Sequence, residues 1–182
     1  MLFRSNPVVT PGYWGMPDET AEVLHEGWLS TGDLVTVNDD DTYAFVSRRK
    51  EVLRRRGENL SPLEVEEVVA ANPAVQEVAV VGVPSDLSEE EIKAFVVLAA
   101  DAGDFSGTPA DLAALREWTA ARLSAFKVPR YWQVVGELPR TATARIAKHR
   151  LPTGHPEDEY DAEAGAGARA TQDVPPGPDG AG

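Results

Sequence analysis

The chain has 182 residues, room for one ordinary domain with appendages, and its 42% hydrophobic and 26% charged residues suit a soluble globular protein with a core. Its net charge of −13 argues against non-specific binding to nucleic acid or anionic membranes. The absence of cysteine removes disulfides and thiolate chemistry and fits a cytoplasmic protein, while His25, His149 and His155 are too scattered for a zinc site.

In chain order, Leu2-Phe3-Arg4 reads as a short strand; its Arg4 comes too early for a signal peptide. Pro11-Gly12-Tyr13-Trp14-Gly15 reads as a turn carrying two large aromatics. A short helix is expected over 18–24, stopped by Gly27. Strands over 34–37 and 43–46 flank Asn38-Asp39-Asp40-Asp41, a hairpin signal. Acids in such a turn could hold calcium, but no EF-hand spacing follows, and a solvated β-turn is the better reading. One hairpin and one short helix cannot bury a core, so 1–47 needs a partner surface.

Residues 51–151 read as a compact α+β unit. Ser61-Pro62-Leu63-Glu64 has the form of a capping box with Pro at the first helical position, opening a helix to about Ala71 whose Leu63, Val65, Val68 and Val69 face a core. Strands follow over 75–83 and 93–99, separated by the acidic segment 88–91. Thr108-Pro109-Ala110-Asp111 opens a second helix with Leu112, Leu115 and Trp118 on one face, and 131–135 is a further strand. The longest apolar stretches, 78–83 and 94–100, are strand-sized, against roughly 20 residues for a membrane span. Residues 152–182 hold seven acids and one Arg, a net of −6, with no periodic apolar face; that tail is expected to be disordered.

Three clusters carry chemistry. Gly27-Trp28-Leu29-Ser30-Thr31-Gly32-Asp33-Leu34 places a carboxylate on a tight turn, where it can accept from two ribose hydroxyls; alone, Thr-Gly-Asp is as well read as a plain turn. The run Arg48-Arg49-Lys50-Glu51-Val52-Leu53-Arg54-Arg55-Arg56 is rich in cations, but the acidic whole and the strand-like Val52-Leu53 inside it count against a nucleic-acid patch. Pro139-Arg140-Thr141-Ala142-Thr143-Ala144-Arg145-Ile146 is a loop of small polar residues that delivers one cation ahead of the basic Lys148-His149-Arg150.

In this order the clusters resemble the adenylate-forming superfamily: G-W-x-x-T-G-D, then R-x-[DK]-x-[IVL] leading to G-E-N-[ILV]-x-P-x-E-[IV]-E, then P-[RK]-T-x-[ST]-G-K-[IV]. The resemblance runs from about Leu2 to Leu151. Its texture is nearest to crotonobetaine/carnitine-CoA ligases, with fatty and aryl acyl-CoA ligases close behind. It implies a fold made of the small α+β C-terminal domain of such an enzyme, a short central sheet flanked by helices, preceded by a β-hairpin remnant of the large domain. The implied boundaries are 1–47 for that remnant, 48–50 for a hinge, 51–151 for the C-terminal domain and 152–182 for the tail.

The implied reaction is ATP-dependent and AMP-forming: a carboxylic acid attacks the α-phosphate of Mg-ATP, and coenzyme A then displaces AMP. By resemblance Asp33 holds the ribose hydroxyls and Arg48 sits beside ribose and phosphate. Lys50 is the hinge residue, Gly57 and Glu58 face the pantetheine arm, and Arg145 stands where the family has its catalytic Lys. Ala144-Arg145 departs from the family's Gly-Lys, and Arg is not an ammonium point charge; adenylation is therefore in doubt, with Lys148 a conceivable recruit. The family's phosphate loop and acyl pocket lie upstream of T-G-D. The chain alone is thus expected not to catalyse or to bind ATP or coenzyme A tightly. It is expected to act with a separate ligase body or a full-length ligase, or else to be a non-catalytic accessory or partner-binding module.

Overall fold

The computed structural model of the chain describes residues 2–85 and 89–164. The first third is built from short pieces. Strand β1 (Phe3–Arg4) is followed by helix α1 (Pro17–Val23), then β2 (Leu24–His25) and β3 (Trp28–Ser30), and the three strands form one antiparallel sheet in the order β1-β3-β2. The expected hairpin is present as β4 (Asp33–Val37) and β5 (Tyr43–Arg48). Its turn is held locally: Asp40 accepts from the hydroxyl and amide of Thr42, and these bonds hold its carboxyl below the usual carboxylate range. None of residues 2–46 is buried.

A 3-10 turn at Arg49–Glu51 leads into a second hairpin, β6 (Leu53–Arg55) and β7 (Glu58–Leu60). Its two turn residues, Arg56 and Gly57, have φ of +53° and +81°, the left-handed pair that a two-residue hairpin turn demands. Helix α2 (Pro62–Ala70) follows. Its expected capping box is not formed. The Ser61 hydroxyl instead donates to the carbonyl of Val46 at 2.8 Å, tying the helix start to β5, and Glu64 pairs with Lys127. The Ser61 hydroxyl accepts from none of the helix's first amides, and its one bond goes to this tertiary partner.

The main sheet holds β8 (Val75–Pro84), β9 (Glu90–Leu98), β10 (Tyr131–Val134) and β11 (Tyr160–Asp161), in the order β11-β10-β9-β8, with helix α3 (Pro109–Ala120) between β9 and β10 in the chain. β9 runs antiparallel to β8 and parallel to β10. Helix α3 does start on a reciprocal cap, Thr108 with Asp111. Alternation along the strands builds two cores. Val78, Val80, Ile92, Ala94, Val96 and Trp132 face α2 and α3, meeting Val65, Val69, Leu112 and Leu115. Ala79, Phe95 and Val97 face the other way, where Leu138 and Leu151 cover them. With both faces buried, β8 and β9 read as continuous apolar runs rather than alternating ones. The chain is α+β, as expected.

Residues 152–164 depart from the expected disorder. β11 pairs antiparallel with β10, Tyr131 opposite Asp161 and Trp132 opposite Tyr160. Charge holds the segment down, which is why apolar periodicity missed it. Lys93, with no exposed surface, pairs with Glu159 and donates to the Gly154 carbonyl at 2.9 Å; Arg130 grips Asp161 through two bonds of 2.9 and 2.8 Å. The remainder of the expected tail, 165–182, lies outside the described residues. Among the described residues no helix is long and apolar enough to cross a membrane.

Candidate functional site

Asp33 opens β4 directly after a turn through Gly32, whose φ of +74° is left-handed. The Thr31 hydroxyl fixes that turn from both sides, donating to the Leu2 carbonyl at 3.0 Å and accepting from the Asp33 amide at 3.2 Å. Asp33 lies opposite Arg48 in the β4–β5 register, with Oδ1 2.8 Å from Nε, and Arg48 also donates to the Thr31 carbonyl. The two sequence-predicted nucleotide residues are thus adjacent. The Asp33 carboxylate is largely covered and faces a shallow depression lined by Leu2, Phe3, Val35 and Phe45.

Lys50 is exposed in the 3-10 turn that begins immediately after Arg48, and the Arg49 amide donates to Gly32 at 2.8 Å. Lys50, Glu51, Val80, Gly82, Lys148 and His149 line one cavity of about 470 Å³. The turn after β5 and the basic end of the 139–151 loop therefore share one cleft. Asp33 and Arg48 are not part of its lining.

Arg145 projects from the tip of the 139–151 loop. The loop closes on itself through the Thr141 amide to the Arg145 carbonyl at 2.8 Å and the Ala144 amide to Thr141 at 3.0 Å. Arg140 braces it, donating to the Ala144 carbonyl at 2.9 Å and pairing with Glu77. Ala144 sits at φ +62°. A side chain in the left-handed region costs about 1–2 kcal/mol, so the loop keeps a glycine-like backbone without the glycine. The Arg145 guanidinium has no partner among the described residues. Lys148 does not share that freedom. Glu66 holds it at 2.8 Å, with Glu51 at 3.9 Å, which counts against its recruitment as a second cation. Burial pushes the Glu66 carboxyl up, while Lys148 and the Val80 amide at 2.6 Å oppose that shift.

Gly57 stands at the tip of the β6–β7 turn with open space where a side chain would go, and Glu58 beside it is exposed. The cation run between Arg48 and Arg56 is not a continuous basic patch, because Arg48 and Arg54 to Arg56 each face a carboxylate. Arg54 meets Glu89, and Arg56 meets Glu163. Arg55 is buried, donates to the carbonyls of Phe126 and Val128, and lies 2.7 Å from Glu91. That buried ion pair escaped the sequence reading, although strand period two puts Arg55 on the same side as the buried Leu53.

Residues 64–145 match the family described as AMP-binding enzyme C-terminal domain. The chain is 38% identical over 159 residues to a long-chain-fatty-acid–CoA ligase of Bacillus subtilis, covering 87% of this chain and 27% of that enzyme. It is 40% identical over 144 residues to a feruloyl-CoA synthase of Amycolatopsis, covering 79% and 28% respectively. Among solved structures, o-succinylbenzoate CoA synthetase of Bacillus subtilis, in complex with its acyl-adenylate intermediate, superimposes with a TM-score of 0.74 at 26% identity, over 84% of this chain and 30% of that one. The chain spans about a quarter of the length of the curated relatives it matches. With the T-G-D turn, the hinge run and the cation loop following one another in that order, the chain carries an AMP-binding enzyme C-terminal domain and corresponds to the C-terminal portion of adenylate-forming enzymes.

Proposed function

We propose that the chain supplies the hinge and the coenzyme A-facing domain of an AMP-forming acyl-CoA ligase, and that it works together with the AMP-binding body of such an enzyme in the cytoplasm. The observation that carries this reading is the Asp33–Arg48 pair, held at 2.8 Å at the strand end that runs straight into Lys50. A paired carboxylate and guanidinium can take the two hydroxyls of a ribose and an adjacent phosphate oxygen. Lys50, exposed and between two hairpins, is placed to absorb a backbone rotation between half-reactions, with the domain boundary at 48–50. Gly57 and Glu58 would then face the pantetheine arm, and Arg145, whose guanidinium has no partner among the described residues, would supply charge to the carboxylate and α-phosphate of Mg-ATP. The carboxylic acid would be a fatty or aromatic one, as for the relatives.

The test is to add the purified chain to a related ligase body that ends before its own T-G-D motif. ATP–pyrophosphate exchange is expected from the mixture and not from either part. Asp33→Ala should raise the KM for ATP at least about tenfold, an effect of ~1.4 kcal/mol. Complementation that is indifferent to Asp33→Ala would favour the partner-binding module over a catalytic half.

A further inference from the structure

The segment that closes the main sheet ends on a dense cluster of charge. Glu163 Oε1 lies 3.4 Å from Arg56 and 3.9 Å from Arg55, and its Oε2 lies 3.4 Å from Arg130. Arg130 is also gripped by Asp161, and Arg55 by Glu91. Three guanidiniums thus face three carboxylates. Glu91 belongs to the body of the sheet at 2% exposure, whereas Asp161 and Glu163 arrive on the end of residues 152–164, beyond the Glu159 and Gly154 contacts that Lys93 holds, and pair there with the sheet edge. Lifting that strap would leave an excess of two positive charges beside the turn that carries Gly57. Two of the three cations would already be in place: Arg55 is fixed by the carbonyls of Phe126 and Val128, and Arg130 lies against the Tyr131 ring at 4.8 Å.

We propose that Arg55, Arg56 and Arg130 form a binding site for a phosphate dianion, held shut by the chain's own Asp161 and Glu163. The charge excess matches a phosphomonoester, and three guanidiniums around one tetrahedral group supply the fork-shaped donors that phosphate selects. On the reading of function given above, on which this choice of ligand rests, the 3′-phosphate of coenzyme A is the group that displaces the strap. The end of the strap, residues 161–164, then acts as a plug that an incoming polyanion must expel. It sets a threshold concentration for the ligand, because the apparent affinity is reduced by the fraction of chains in which the strap is open.

Coenzyme A, dephospho-coenzyme A and inorganic phosphate are the probes, with binding to the full chain measured by calorimetry. Asp161→Asn with Glu163→Gln should tighten coenzyme A binding by at least about tenfold over the unmodified chain, and by clearly more than it tightens dephospho-coenzyme A. Arg56→Ala in that background should cancel the gain. A gain for inorganic phosphate with no preference for coenzyme A supports the site and overturns coenzyme A as its ligand. No gain for any of the three overturns the site. The unmodified chain gives a reading that does not depend on how the variants fold. Adding coenzyme A should speed hydrogen exchange at the Ala162 and Glu163 amides, which donate to the Arg130 carbonyl and to Asp161. Binding that leaves those two amides fully protected would contradict a displaced strap.

Discussion

At the scale of single residues, the pair Ala144 and Arg145 sets the chemistry most at risk. The loop holds Ala144 at φ +62°, where its Cβ is strained by about 1–2 kcal/mol. Ala144→Gly relieves that strain but loosens the unfolded chain by about 0.4–1 kcal/mol, so a net gain of roughly 0.5–1 kcal/mol is expected in urea unfolding. A destabilised variant would mean that the backbone relaxes away from the left-handed region. Arg145 keeps a positive charge at the loop tip, on a longer and planar group than an ammonium. In a complemented ligase, Ala144→Gly with Arg145→Lys should raise adenylation about 10–100-fold, or ~1.4–2.7 kcal/mol. Thioester formation from pre-made acyl-adenylate should stay the same, which separates a placed charge from a general repair of folding. Equal adenylation before and after would show Arg145 to be a competent substitute.

At the scale of elements, the strap 152–164 is held by ion pairs, so its stability should follow pH. The two bonds from Arg130, and secondarily the Glu163 amide, hold the Asp161 carboxyl below its ordinary value of 3.8. A depressed folded value means that its contribution is complete above the unfolded value and disappears as pH falls through the folded one. Asp161→Asn should therefore cost about 1–2 kcal/mol in unfolding free energy at pH 7, and the deficit should begin to shrink near pH 3.8 and vanish once the pH is below the lowered folded value. A deficit that persists there would assign the effect to shape rather than charge. Glu66 runs the other way. Burial raises its folded value, so its charged form opposes folding and the penalty fades as pH falls. The same contrast explains what the sequence disclosed. Strands β8 and β9 were legible because both faces are apolar, and α3 because Thr108 and Asp111 cap it locally. β11 was hidden because two residues held by Arg130 and by backbone pairing leave no periodic signature. Ser61 misled because its partner, Val46, lies 15 positions upstream, outside any local motif. Asp33, Arg48 and the cation loop were legible as spacing, whereas the pairing of Arg55 with Glu91 and of Lys148 with Glu66 is long-range and appears only in three dimensions.

At the scale of the whole molecule, the division between a buried sheet and an uncovered first third is the dominant physical fact. No residue from 2 to 46 is buried, while β9 is buried over seven consecutive positions. Hydrogen exchange should accordingly be fast over β1 to β4 and slow over β8 and β9; uniform protection would contradict the division. Trp14 is fully exposed and Trp28 is 53% exposed, and Phe3, Tyr43 and Phe45, which line one depression, are exposed as well. Apolar surface of this extent marks a face made to be covered, and the ligase body is the partner proposed for it. Trp132, by contrast, has no exposed surface and donates its indole N–H to the Pro129 carbonyl at 3.0 Å. The tryptophans therefore report independently on the two parts. With 5-fluorotryptophan incorporated only in this chain, adding an unlabelled ligase body that lacks its own C-terminal portion should shift the fluorine resonances of Trp14 and Trp28 and leave that of Trp132 in place. Trp14→Ala should weaken the complex by at least about tenfold, ~1.4 kcal/mol, as expected when a large aromatic anchor is lost from a contact. It should leave the unfolding of β8 and β9 unchanged, because Trp14 touches none of their core. If the body binds with the Trp14 and Trp28 resonances unmoved, the exposed aromatic face is not the contact, and the body must dock elsewhere on the chain.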